Sequence, residues 1–209
     1  MLKNRPCAYC GTTNLPRTRG HVLPRRLYRD NMPNAKRITV AECEKCKRLW
    51  EDAEPHFRNI LLAIWNSDAL PADSRVESMR RSFLEPDGRR RARELYALIK
   101  RSPAAPGREL IDPTKNEPFN LILRRIVRGL AAKNGVGYAI PDESVECGVM
   151  HWEVPPAFEP EIRWDVIECD FFAYGYVADL EKPLHSFWLL RFSRNLLFFG
   201  AIERWIKCC

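Results

Sequence analysis

The sequence predicts an α+β fold with a metal-stapled front, a helical middle and an antiparallel, β-rich back. Three observations carry that prediction. Two C-x-x-C pairs, Cys7/Cys10 and Cys43/Cys46, bracket the N-terminal part. Apolar residues then recur at helical spacing as far as Leu130. Residues 136–209 hold 14 of the 22 aromatic side chains, the concentration expected of a sheet packed on the preceding helices. The divisions drawn are 1–66, 67–135 and 136–209. With 209 residues, the chain suffices for one substantial domain or two small ones.

At the front, CAYC and CEKC are separated by 32 residues. Paired C-x-x-C units in an intracellular chain read as a tetrahedral thiolate zinc site, not a disulfide framework. Two redox motifs are the competing reading, but neither pair sits at a strand-to-helix junction of a thioredoxin-like pattern. Gly11, directly after Cys10, suits a tight turn that requires positive φ. A closed four-thiolate site has no open coordination position, so this zinc is expected to hold structure and do no chemistry. Cys147, Cys169, Cys208 and Cys209 show no such spacing and are expected to be core or free thiols.

Between the pairs the chain is polar and basic apart from Val22-Leu23-Pro24, and Ile38-Thr39-Val40 reads as a short strand entering the second pair. After Cys46, the spacing of Leu49, Trp50, Phe57, Ile60, Leu61 and Ile64 is helical. Pro55 divides that run into a short helix to about Glu51 and a second starting near Pro55. Residues 73–84 predict an amphipathic helix ending at the turn Glu85–Gly88. GRRRARELYALIKR predicts a basic helix with Leu95, Leu98 and Ile99 on its apolar face, and SPAAPG (102–107) an exposed loop. A longer helix runs from the candidate cap Asn116 through Pro118, Phe119, Ile122, Leu123, Ile126, Val127 and Leu130, with Gly135 beyond its end. Arg124, Arg125 and Arg128 on it either extend a basic surface or solvate the helix. MHWEV, IRWDVIECDFF, AYGYVAD and SFWLLRF read as strands, separated by turns such as VPPAFEP and DLEKP. His151 and His185, in aromatic segments, are expected to be packing residues.

The order C-x-x-C, H-V-x-P, I-T-V, C-x-x-C and a helix with E-x-x-F resembles the zinc-ribbon branch of HNH endonucleases. The pieces are Cys7–Cys10, His21-Val22-Leu23-Pro24, Ile38-Thr39-Val40, Cys43–Cys46 and Glu54 to Phe57. Arg81–Phe83, Arg125–Leu130 and the aromatic C-terminal strands extend the likeness across most of the chain, but the specific motifs lie in the first 65 residues. The resemblance implies a ββα-metal module in which a β-hairpin and helix grip one divalent cation. A histidine matching His21 is the general base that activates water against a phosphodiester. The residue before it, commonly an acid, and an Asn or His after the last cysteine hold the cation. Here those positions are Gly20 and Lys47, and neither side chain can coordinate a cation.

Three accounts fit the departure. Ligands for Mg or Mn come from the next turn, where Glu51 lies four residues after Lys47 with Asp52, Glu54 and His56 close by. Or Lys47 itself supplies positive charge beside the phosphate. Or the site does not cut, and the fold binds nucleic acid or a partner protein. His56 also reads as a surface or capping group, and Glu54 as an acid favouring a helix N-terminus.

The net charge of +7 is polarised: +7 over residues 1–65, +6 over 66–135 and −6 over 136–209. Arg17, Arg19, Arg25, Arg26 and Arg29 cluster around His21, and arginine forks match phosphate geometry. The expected partner is therefore nucleic acid, DNA ahead of RNA, with a partner protein or second copy as the alternative; a solvated basic loop is the plainer reading of the same charge. No stretch approaches ~20 apolar residues, which excludes a transmembrane helix. MLKNRPCAYC lacks the apolar run of a signal peptide, so a cytoplasmic protein is expected. No glycine-rich phosphate loop and no G-x-S-x-G element occurs, which disfavours nucleotide hydrolysis and α/β-hydrolase chemistry.

Overall fold

The computed structural model describes residues 5–14, 16–29, 32–33, 36–66, 74–101, 109–150, 162–168, 171–179, 181–182, 184–193 and 196–202. Arg17–His21 (β1) and Thr39–Cys43 (β2) pair antiparallel, with Arg17 opposite Cys43 and His21 opposite Thr39. RTRGH has no apolar alternation to mark it as a strand. It is one because β2, buried from Val40 to Cys43, offers it a ladder. Glu44–Trp50 (α1) follows without a loop, Cys43 serving as its N-cap. Ala53–Asn66 (α2) begins two residues before Pro55, which sits in the first turn where its missing N–H costs nothing. Trp50 is buried as its spacing predicts, but Leu49 is 60% exposed.

Ser74–Ser82 (α3) and Gly88–Leu98 (α4) form the expected helical middle. The helix read through Ile99 to Arg101 stops earlier. Ile99–Arg101 (β3) instead pairs antiparallel with Glu109–Ile111 (β4). Three residues of ladder outcompete one more helical turn there, a long-range choice that local periodicity does not encode. Glu117–Lys133 (α5) is the longest helix; the Asn116 side chain accepts the Phe119 N–H at 3.0 Å, and Pro118 lies in the first turn.

Val145–Val149 (β5), Arg163–Glu168 (β6), Phe172–Ala178 (β7), Ser186–Phe192 (β8) and Leu196–Ile202 (β9) make one antiparallel sheet in the order β5-β9-β8-β7-β6. β9 was not legible as a strand, since its continuous apolar run, LLFFGAI, fits a buried helix equally well. β5 precedes the expected MHWEV, whose residues 151–154 lie outside those described, as do SPAAPG, VPPAFEP, Cys169, Cys208, Cys209 and His151. The packing expectation for His185 is corrected. It is exposed in the β7–β8 turn, its N–H donating to the Lys182 carbonyl at 2.7 Å.

One hydrophobic cluster runs from Cys7 to Ile202. Phe57 on α2 meets Phe119 on α5 at 4.6 Å between ring centroids, and Phe119 meets Phe198 on β9 at 5.5 Å. Each such buried ring contributes about 1.5–3 kcal/mol. These contacts lay α5 against the sheet on one side and bring its other side to the hairpin. Among the described residues no helix is long and apolar enough to cross a membrane.

Candidate functional site

Four cysteines come together first. The Cys7–Cys10 turn closes with the Gly11 N–H donating to the Cys7 carbonyl at 2.9 Å, and Gly11 takes φ +72°. The Ala8 N–H donates to the Ala41 carbonyl on β2 at 2.8 Å, fixing this turn beside the end of the hairpin, where Cys43 closes β2 and Cys46 lies in the first turn of α1. The sulfurs of Cys7, Cys10, Cys43 and Cys46 all lie within 4.8 Å of one another, and Cys10 Sγ is 3.7 Å from Cys43 Sγ. Sulfurs at ~2.3 Å from a tetrahedral zinc are ~3.8 Å apart, so the four are close enough to hold a metal ion such as zinc. The hydrogen bond with Cys46 pulls the Cys7 thiol well below the ordinary thiol range, and the same contact pushes Cys46 up. Sulfurs packed this closely cannot all be thiolates without a cation among them. Cys147 is a free, half-buried thiol elsewhere in the fold.

Beside this cluster the hairpin carries an unexpected acid. A Cβ at Gly20 would stand 2.7 Å from Glu42 Cβ and 2.9 Å from its Cδ. Glu42 thus fills the space that a side chain at position 20 would need. It is 1% exposed and accepts the Trp50 Nε1–H at 2.7 Å. Burial raises its pKa, with Arg125 and the Trp50 bond opposing.

Arg125, from α5, supplies the balancing charge. Its guanidinium is ion-paired to Glu54 and stands 3.6 Å from Glu42 Oε1. It donates to the His21 carbonyl at 2.9 Å and lies 5.2 Å over the Trp50 ring. Burial works against its charge, but Tyr9, Glu42 and Glu54 outweigh it and hold its pKa above the ordinary value. Arg128 donates to Asp142 at 3.0 Å and to the Tyr9 carbonyl at 2.8 Å; Arg124 also binds Asp142. The three arginines therefore neither extend a basic surface nor solvate α5. They staple the helix to the front of the molecule and to Asp142.

The His21 imidazole is half-buried, its centroid 6.0 Å from the Tyr28 ring. Burial lowers its pKa, and Arg37, Arg25, Arg125 and Arg19 lower it further. Both effects favour the neutral imidazole over the imidazolium. Its Nδ1 is shut away from solvent with no hydrogen-bond partner among the described residues. A histidine base is ordinarily held in one tautomer by an acceptor at that nitrogen.

The other expected catalytic residues point in three directions. Lys47 lies between Glu44 and Glu51, at 3.6 and 3.8 Å, on the solvent face of α1, and Asp52 is exposed just beyond. Glu54 belongs to Arg125. His56 faces Glu94 of α4 at 3.3 Å, a partly buried pair and not a surface cap. Among the described residues no hydrogen bond or ion pair joins any of them to the imidazole of His21. The four cysteines are the one group of three or more His, Cys, Asp or Glu there that converge closely enough for a metal.

Of the expected phosphate clamp, Arg19 stands on β1 and Arg25, Arg26 and Arg29 on the turn after Pro24; all four are exposed. Arg17 opens β1, and its side chain lies outside those described. Compared with protein-family models, with curated proteins and with solved structures, the chain gives no match to any of them.

Glu42 escaped the sequence reading, and Arg125 was read there only as a surface or solvating arginine. The one signal for Glu42 was available in principle: a glycine ahead of the histidine, with an acid placed diagonally across the hairpin.

Proposed function

We propose that this chain is an HNH-type nucleic-acid-binding module whose hairpin is built around an arginine instead of a second metal ion. The supporting observation is the Glu42–Arg125 pair. The carboxylate beside Gly20 is the nearest approach to the missing acid, and its charge is already balanced by a guanidinium. A guanidinium stays protonated at any physiological pH, so it cannot vacate the place by losing a proton. A divalent cation at Glu42 and Glu54 would have to overcome that repulsion at short range in a poorly solvated site.

In this reading the four cysteines hold one structural zinc, which fixes the turn, the hairpin and α1 as a unit. Exposed Arg19, Arg25, Arg26 and Arg29 then present guanidinium forks around His21, a surface suited to the phosphates of a nucleic-acid strand, with DNA the expected polymer. The experiment is binding of labelled DNA and RNA across a salt series, with and without Mg. Affinity that falls steeply with salt, and that Arg25→Glu with Arg26→Glu weakens irrespective of sequence, supports the reading. Salt-insensitive or absent binding to both polymers contradicts it.

One observation favours a second reading, an HNH-type endonuclease with His21 as general base: His21 is only half-buried, and burial together with the surrounding arginines favours its neutral form. Metal-dependent cutting that His21→Ala reduces ~100-fold or more, with binding intact, is the result that selects it.

A further inference from the structure

We infer that the groove between α3 and the Arg25–Leu27 turn is a second phosphate-binding site, taking a backbone phosphate of the strand held at the hairpin. The inference rests on the nucleic-acid reading above and adds a surface which that reading did not contain. The groove encloses about 380 Å³ and is lined by Arg26, Arg75 and Arg81 together with Ser74, Ser78 and Ser82. The serines stand at i, i+4 and i+8 on one face of α3, so three short hydroxyl side chains leave room for a ligand between the longer arginines.

Two of the charges lining the groove have no counter-charge among the described residues. Arg26 and Arg81 are exposed, and among the described residues neither makes an ion pair. Arg75 is 3% exposed, its guanidinium 4.0 Å over the Phe171 ring and donating to the Leu27 carbonyl at 3.4 Å. Behind the groove Arg58 is also 3% exposed. Its hydrogen bonds go to neutral acceptors, Asn59 Oδ1 at 2.9 Å and Ser82 Oγ at 3.0 Å. Burial pulls the Arg58 pKa down to about 10, with Arg26 and Arg91 adding repulsion. Among the described residues the groove's one carboxylate is Glu85, and Arg91 engages it at 2.8 Å.

The Ser82 hydroxyl is spent on the Met79 carbonyl at 2.7 Å, but the guanidinium groups of Arg26 and Arg81 with the Ser74 and Ser78 hydroxyls, beside an acid already committed, are complementary to a phosphate. Continuity with the hairpin identifies the source. Tyr28 lines the groove, and its ring lies 6.0 Å from that of His21. Arg26 belongs to both surfaces. A strand crossing the hairpin at His21 therefore has its next contacts at α3.

The test measures anisotropy of a labelled single-stranded DNA 20-mer against salt, for the full chain and for Arg81→Gln and Ser78→Asp. Both positions lie outside the hairpin, and Arg89→Gln on exposed α4 is the control. Each groove variant is expected to weaken binding about fivefold or more and to lower the salt slope by about one phosphate contact. The control should do neither. Wild-type binding that both groove variants leave unchanged overturns the groove and leaves the nucleic-acid reading standing. No binding by the wild type overturns both. A parallel thermal melt with inorganic phosphate, against chloride at equal ionic strength, separates the sources. Phosphate-specific stabilisation that Arg81→Gln removes, without any effect on DNA binding, assigns the groove to a small phosphate ligand and overturns the polymer.

Discussion

Arg125 on α5 donates a hydrogen bond to the main-chain carbonyl of His21 at 2.9 Å, joining residues 104 positions apart. The same guanidinium serves Glu42 and Glu54, so one side chain ties β1, β2 and α2 to the longest helix. The hairpin is thereby held from behind as well as by the cysteine cluster at its end. Arg19, Arg25 and Arg26 lie on its exposed face.

Arg125→Met should destabilise the fold by about 3–5 kcal/mol, because it leaves Glu42 buried and uncompensated. Adding Glu42→Gln should return part of that loss. Denaturant unfolding of both single variants and the double variant measures the coupling. Strictly additive effects would contradict the pairing.

Gly20→Ala should cost about 1–3 kcal/mol by overpacking against Glu42. Differential scanning calorimetry reads it as a lowered Tm with the fold retained. A neutral result would mean that Glu42 does not occupy the space beside position 20.

The cysteine cluster should bind about one zinc per chain, with protons released on binding as thiols become thiolates. Cys43→Ser should abolish the metal and unfold the hairpin region, leaving the C-terminal sheet the better survivor. Elemental analysis of the freshly purified protein and proton release on zinc addition are the measurements.

The lowered pKa of His21 has a definite sign. The folded chain binds a proton at His21 less readily than the unfolded chain. Its contribution to stability is thus fully present above the unfolded value of about 6.5 and is lost as pH falls through the folded value. His21→Gln should therefore lose less stability than wild type between pH 7 and 5. The difference between the two chains, not either curve alone, isolates this residue from metal loss in acid.

Elements whose own residues specify them were legible in the sequence. The Asn116 cap and the spacing from Phe119 to Leu130 define α5 locally, and the C-x-x-C spacing defines the cysteine cluster. What depended on distant partners was not. β1 is a strand because β2 pairs with it. Ile99 leaves the helix because Glu109–Ile111 is available to it. Glu42 and Arg125 are the sharpest case, since an acid on a short strand and an arginine on an amphipathic helix both look solvated until packing buries them together. Lys47, Glu51, Glu54 and His56 lie close in sequence, yet three partners, Glu44, Arg125 and Glu94, turn them different ways.

The most direct test of a hairpin that binds nucleic acid around an arginine is one titration series on labelled DNA and RNA. It compares added Mg, added Mn and neither, with the zinc left in place and ionic strength matched. Expected are equal affinities under all three conditions, steep loss with salt, and intact polymer on a denaturing gel. Binding that requires Mg or Mn, or cutting that requires either ion and disappears in His21→Ala, would contradict it.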